Sequence, residues 1–593
     1  METRDGPNDA PQTTLREVKE DSDDSSDGDE RATLLPPENH HGEKAELGAA
    51  RGRGTGDAGQ DEGSPPYSRQ RKPNHIVPLD GVRGLASLHV FAYHFFVYFA
   101  GGAPELSLVG PLVRRGFVGV LFFFLLSGLV LAVRHTAGPG RPFRAFALRR
   151  AARLAPMYYA SLLACVPYAF GAWGDMGLQW GQGGGSAPTT CVGSTILGVQ
   201  AWLPRRSLMC LNPPLWSVSC EAFAYLCLGP LWAAASAVLR SVKTGSSRSG
   251  SRCIRMVLSV AALLVVQTCL YFASASTLLR LGIADTAARA ASLPYGFPIV
   301  RVCEFACGVV LGVGIVEGWL ERHADVGGVQ SATSAQNLDT RSLPSAGVPR
   351  LQGEVCRVAL PRTVDLLSVG LVALLGLDGV VQQQPVAASG STRSVLQEVL
   401  FGELFGIWYL VLVAVATAWL WALTVAAVES ASSSSSRRRS IIDRNGAQQV
   451  PWTVFLLSQS PLTWLGDVSY STYVLQFPFL IYSAALSNGL SMAETYASLS
   501  GQSVGARGTP LPLVLLPPKA FVPLLAVLLA VSALARRFVE VPSIRRACRV
   551  ASRWEAQYEH EQDLGRRALA GASLGGDGEQ VSQHRAALNF ELQ

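Results

Sequence analysis

Hydrophobic residues are spread unevenly along the chain. Residues 1–75 show no apolar periodicity, whereas from residue 76 onward long apolar runs alternate with polar ones. Ten runs reach spanning length, at residues 79–100, 116–133, 154–172, 215–239, 256–275, 298–318, 363–381, 403–428, 465–487 and 514–535. About 20 apolar residues in a helix cross the hydrocarbon core of a bilayer, with every backbone polar group satisfied inside the helix. The pattern predicts an all-α integral membrane protein with about ten transmembrane helices embedded in a lipid bilayer. One more run, TILGVQAWL at residues 195–203, is too short to cross and reads as interfacial or re-entrant.

Composition agrees: 593 residues, 49% hydrophobic and 16% charged, with a mean hydropathy of +0.24, exclude a single soluble core. Charge then orients the helices. Loops 134–153, 240–256, 319–362 and 429–462 hold 20 Lys or Arg, against 8 in the five intervening loops. Basic loops stay on the cytosolic side, which places both termini in the cytosol. The net charge of +6 conceals −7 on residues 1–75 and +13 on the rest. The basic excess thus belongs to the membrane part, where it orients helices and calls for no nucleic-acid partner. The acidic segment 1–75 is expected to be a disordered cytosolic tail with no cleaved signal peptide, residues 76–546 the membrane domain, and 547–593 a polar C-terminal tail. The eleven cysteines include no CxxC pair and no zinc spacing, so no metal site is expected and most read as buried small hydrophobes. Cys191 and Cys210 fall in the non-cytosolic loop 173–214, where a disulfide between them is one option and free thiols the other.

The first apolar run, LDGVRGLASLHVFAYHFFVYFA, holds Arg83, His89 and His94. Ionisable residues within hydrocarbon are costly and call for a reason. Eleven residues separate Arg83 from His94, which returns to within ~20° of the same helix face about 16 Å further along the axis. His89 lies ~140° around from His94 and reads as a structural histidine.

Further motifs follow in order. GFVGVLFFFLLSGLVLA carries Gly119, Val120, Phe123, Phe124, Ser127 and Gly128; LRRAARLAPMYY carries Arg149, Arg150, Arg153 and Pro156; LWSVSCEAFAYL carries Trp216, Ser217, Ser219 and Glu221. Then come Arg301, Glu304, Phe305 and Gly308 in RVCEFACG, the run LGDVSYSTYVLQFPF, and VEVP with Glu540 and Pro542. Together with the Arg83 to His94 spacing, this succession resembles the acyltransferase 3 family of multipass membrane acyltransferases over about residues 76–546. Two departures stand out. Leu121 occupies a position where many relatives have an acidic residue, and Gln476 one where the family commonly has a histidine.

The resemblance implies an enzyme that transfers an acyl group, acetyl above all, from acyl-CoA as co-substrate, with no bound cofactor, to a hydroxyl-bearing acceptor. Imidazole, with an ordinary pKa of ~6.5, suits the base that such a transfer requires, and His94 is the candidate. Glu221 is the second catalytic candidate, orienting His94 or binding the acceptor; its other reading is a carboxylate favoured at a helix N-terminus. Arg83, Arg149, Arg150 and Arg153 are candidates for the phosphates of the donor, since guanidinium pairs with phosphate in a planar fork; cytosolic anchoring is the competing reading for the last three. Trp216, Ser127 and Ser219 are candidates for the acceptor side, Trp216 alternatively an interfacial aromatic. Arg301 and Glu304 read as a membrane ion pair, and Pro542 as the stop of the last helix. A membrane transporter whose intramembrane Arg, His and Glu line a path is the alternative, against which stands the lack of an evident inverted repeat.

Overall fold

A computed structural model of the chain describes residues 76–102, 109–136, 142–175, 188–203, 211–240, 248–283, 293–326, 360–381, 407–436, 450–499 and 515–573. The expectations for residues 1–75 and for a Cys191–Cys210 bridge lie outside the described residues, since Cys210 is not among them. The described elements are all helical.

Each of the ten apolar runs falls on a helix. Helix α1, Val77–Tyr93, passes without a break into a π-helical turn, His94–Phe99. The short α2, Val109–Arg114, leads into α3, Val118–Thr136, and α4, Phe143–Asp175. The run at 195–203 forms only short helical pieces: α5, Pro188–Ile196, and a single turn at Gln200–Trp202, held to α4 where the Tyr158 hydroxyl bonds the Thr195 carbonyl. There follow α6, Trp216–Arg240; α7, Arg248–Arg280; α8, Pro298–Val326; α9, Leu360–Val381; and α10, Ile407–Ser436. The short α11, Trp452–Leu457, precedes α12, Ser460–Asn488, and α13, Met492–Leu499. The last unit is continuous: α14, Phe521–Ala535, a second π-helical turn, Arg536–Glu540, and α15, Val541–Ser573.

Pro542 does not stop this helix. Proline lacks an N–H and crowds the carbonyl four residues back, and here a π-helical turn directly before it takes up that misfit. The boundary expected at residue 546 therefore falls inside α15, which packs along α4.

Among the described residues, six helices are long and apolar enough to cross a membrane: Val118–His135, Pro213–Arg240, Arg252–Arg280, Pro298–Glu317, Trp408–Ser430 and Pro518–Leu564. Their burial divides them. Helix α8 is mostly enclosed, whereas Leu258 and Val265 on α7 and Val522 and Leu534 on α14 stand exposed, an apolar outer face suited to lipid. The fold is that of an all-α, multi-pass membrane protein.

Two close helix contacts set the frame of the interior. A Cβ on Gly128 of α3 would collide with the Phe305 carbonyl of α8, and one on Gly308 with the Leu125 carbonyl. Likewise Gly84 of α1 sits against the backbone of α12 at Leu462 and Gly466. Small residues bring helix backbones together where lipid offers no hydrophobic drive to do so. The motif glycines are thus contact points that hold α3 on α8 and α1 on α12.

Candidate functional site

The interior holds two groups of charged residues and one isolated imidazole. The first group gathers where α1, α3, α4, α6 and the second π-helical turn meet. Arg83 donates to Asp80 three residues earlier at 3.4 Å. It lies within electrostatic range of Arg134 and Arg153, and Arg134 within range of Arg150. Arg153 faces Glu540 at 3.6 Å, and Ser471 of α12 donates to the same carboxylate at 2.9 Å. Glu221 belongs here as well. Its carboxylate accepts from Ser127 at 2.9 Å and from Tyr225 one turn on, and is in range of Arg150 and Arg153. The guanidinium of Arg150 lies over the rings of Phe146 and Tyr225, and its Nε is buried with no hydrogen-bond partner. The group is partly open: Arg134 is exposed, and Arg83, Arg150, Arg153 and Glu221 are half-buried.

Four arginines against Asp80, Glu221 and Glu540 form a site with more cations than anions. Like charges held together repel, and an anion placed among them relieves that cost. This arrangement can bind phosphate.

The second group is closed. Arg301 and Glu304, one turn apart on α8, pair at 2.7 Å, with exposures of only 2% and 0% for their side chains. Tyr409 of α10 bridges them, accepting from Arg301 and donating to Glu304, each at 2.7 Å, and Gln267 of α7 donates to Glu304 at 2.9 Å. Arg301 also donates to the Tyr295 carbonyl and is flanked by the rings of Tyr295 and Trp216. The expected ion pair is present, embedded in a network that joins α7, α8 and α10. Trp216 is 6% exposed, packed between Phe124 and Tyr295.

His94 stands apart from both groups. It begins the π-helical turn, half-buried, with Tyr93, Tyr98 and Phe477 around its ring. The wider π turn lets residues five apart meet, so the hydroxyls of Tyr93 and Tyr98 lie 3.4 Å from one another.

The sequence candidates therefore separate. Arg83, Arg150, Arg153, Glu221 and Ser127 come together; Arg149 does not join them, since it pairs with Glu555 of α15. No hydrogen bond or ion pair links Glu221 to His94 among the described residues. Ser219 is buried and its hydroxyl has no hydrogen-bond partner among the described residues. His89 accepts a structural place, its Nε2 2.6 Å from the Leu112 carbonyl. Sequence reading missed Arg134, Tyr225, Tyr409 and Gln267 as members of these groups. Only Arg134 had a sequence signal, as the first arginine of a basic loop.

The fold and the arginine group together define a multi-pass membrane protein with a partly open cationic interior. Residues 76–297 match the acyltransferase 3 family, described as an acyltransferase domain. The matched stretch is consistent with enzymatic acyl transfer, for which that family in general uses an acyl-CoA-like co-substrate. The match contains α1 through α7 and ends before Arg301, so it includes His94 and Glu221. No curated protein and no solved structure matches the chain.

Proposed function

We propose that the protein is an integral-membrane O-acyltransferase that moves an acetyl group from acetyl-CoA to a hydroxyl of a carbohydrate, lipid or secondary metabolite. The observation that carries this reading is the arginine group at one end of α1, with His94 about 16 Å further along the same helix. Arg83, Arg134, Arg150 and Arg153 hold the donor's phosphates, and its pantetheine arm runs along α1 toward His94. Glu221, fixed by Ser127 and Tyr225, keeps Arg150 and Arg153 in place; Arg149 contributes by tying α15 to α4. Trp216 and Ser219 back the acceptor side. With ten crossings and both termini in the cytosol, the arginine end faces the cytosolic donor.

At the reacting centre His94 takes the proton of the acceptor hydroxyl as its oxygen attacks the thioester carbonyl. The C–S bond of the tetrahedral intermediate then breaks, and the imidazolium returns the proton to the departing thiolate, giving ester and free CoA. A positioned general base contributes ~10²–10⁴-fold. Purified full-length protein should release CoA from acetyl-CoA only with acceptor present, and His94→Ala should lower that rate by a factor in this range. Full acylation by His94→Ala, with loss only of solute flux in cells, would establish the transporter reading instead.

A further inference from the structure

Helix α15 continues α14 beyond the exposed Val531, Leu534 and Phe538, and there the chain turns basic. Residues 544–554 read IRRACRVASRW, and no Asp or Glu stands between Glu540 and Glu555. Arg545, Arg546, Arg549 and Arg553 are all exposed. At ~100° per residue they fall within an arc of ~100°, and the buried Ala547 and Ala551 lie roughly opposite. That opposite side is the one held to α4, with the Arg144 guanidinium over the Trp554 ring at 5.5 Å and Glu555 paired with Arg149. The arginine stripe therefore points away from the bundle. None of its four guanidiniums has a hydrogen-bond or ion-pair partner among the described residues. Arg545, Arg549 and Arg553 recur every four residues, which stacks like charges one turn apart and weakens a helix that has no anion beside them. The acids of α15 do not supply that anion: Glu555, Glu559, Glu561 and Asp563 all follow the stripe.

A spanning helix that ends in such a stripe has an anionic surface beside it, the headgroup layer. Phe538 is 68% exposed, and exposed aromatic side chains settle at headgroup level. Arg545 follows it by ~10 Å along the axis, so the stripe starts within about a Debye length of the headgroups, where basic residues gather anionic lipid. Guanidinium adds a two-pronged fit to phosphate. We propose that the Arg545, Arg546, Arg549 and Arg553 face of α15 is a docking surface for the anionic phospholipid headgroups of the cytosolic leaflet. The inference rests on the proposed function only for the cytosolic placing of this end of the chain.

The test measures amide hydrogen exchange over residues 541–564 of the full-length protein in nanodiscs of phosphatidylcholine, alone or with about 30 mol% phosphatidylserine. Docking holds the helix closed, so exchange in the anionic discs should be about three- to tenfold slower, and about 0.5 M salt should erase the difference. The variant that combines Arg545→Gln, Arg546→Gln, Arg549→Gln and Arg553→Gln should exchange alike in both discs. Equal exchange of the wild type in the two discs overturns the proposal, as does a difference that survives in salt or in the variant. The disc and salt comparisons use the unaltered chain, so they decide the matter even where the variant fails to fold. Free phosphoserine added to the neutral discs should change nothing; if it slows exchange as much as the anionic discs do, the surface takes soluble anions and the lipid assignment falls. Protease access to a C-terminal tag in intact cells reads the placement separately. Cleavage from outside overturns the cytosolic assignment, whereas protection supports it. Neither readout involves acyl transfer, so failure of the acyltransferase reading leaves both unchanged.

Discussion

Arg301 and Arg83 are both arginines within apolar helices, yet their surroundings differ in kind. Arg301 is 1% exposed and its charge is met within 2.7 Å by Glu304, with Tyr409, Tyr295 and Gln267 bonded around the pair. Among the described residues, Arg83 has a loose partner, Asp80, at 3.4 Å and shares its space with Arg134 and Arg153. A closed, neutral network ties helices together; an open, cation-rich one keeps unspent capacity for an anion. The same residue type is therefore enclosed in a helix-joining network in one place and left in cation-rich company in the other.

The sharpest way to break this contrast is to remove one partner from the closed network. Glu304→Leu should strand the Arg301 charge and destabilise the protein by ~3–5 kcal/mol, read as a fall in the thermal unfolding midpoint in detergent, and the double replacement Arg301→Met with Glu304→Met should recover much of it. Stability unchanged in Glu304→Leu would mean that the network is not structural.

The open group should respond in the opposite way. Arg150→Ala should raise the KM for acetyl-CoA about 10- to 100-fold, the loss of a charge-assisted hydrogen bond worth ~1.5–3 kcal/mol, while the unfolding midpoint moves little. A fall in stability with an unchanged KM would make this arginine an anchor. Because Arg134 and Arg153 are reached by solvent, the same KM should rise as salt is raised from 0.05 to about 0.3 M, whereas the Arg301 network should be indifferent.

The smallest effect is expected at the rim. Glu555→Ala removes the partner of Arg149 and should cost only ~0.2–1 kcal/mol, detectable as a slightly earlier release of α15 in limited proteolysis. A large loss of activity there would give α15 a direct part in donor binding.

The order of helices was legible in the chain because lipid imposes a length and a polarity on each crossing that few other segments satisfy. The runs at 298–318 and 465–487 fall on α8 and α12 for that reason, and TILGVQAWL forms only short helical pieces. The Arg301 to Glu304 pair was legible too, since one helical turn brings the two together without help from elsewhere in the chain. Pro542 was misread: local propensity says stop, but a π turn upstream and packing on α4 carry the helix on. The burial of Trp216 was not legible, since position at a helix start does not say what packs over it.

What the sequence determined by itself was the class of the protein and the residues available for chemistry, because hydropathy, charge asymmetry and short-range helical spacing act along the chain. What only the tertiary structure decided was company. Glu221 meets Ser127 and the arginines and not His94 among the described residues, Arg149 turns to Glu555, and Phe477 meets the imidazole edge-on from a helix almost 400 residues away. Hydrogen bonds and ion pairs act over a few ångströms of space, and in a bundle of long helices those ångströms are set by which backbones approach closely at residues such as Gly84 and Gly128.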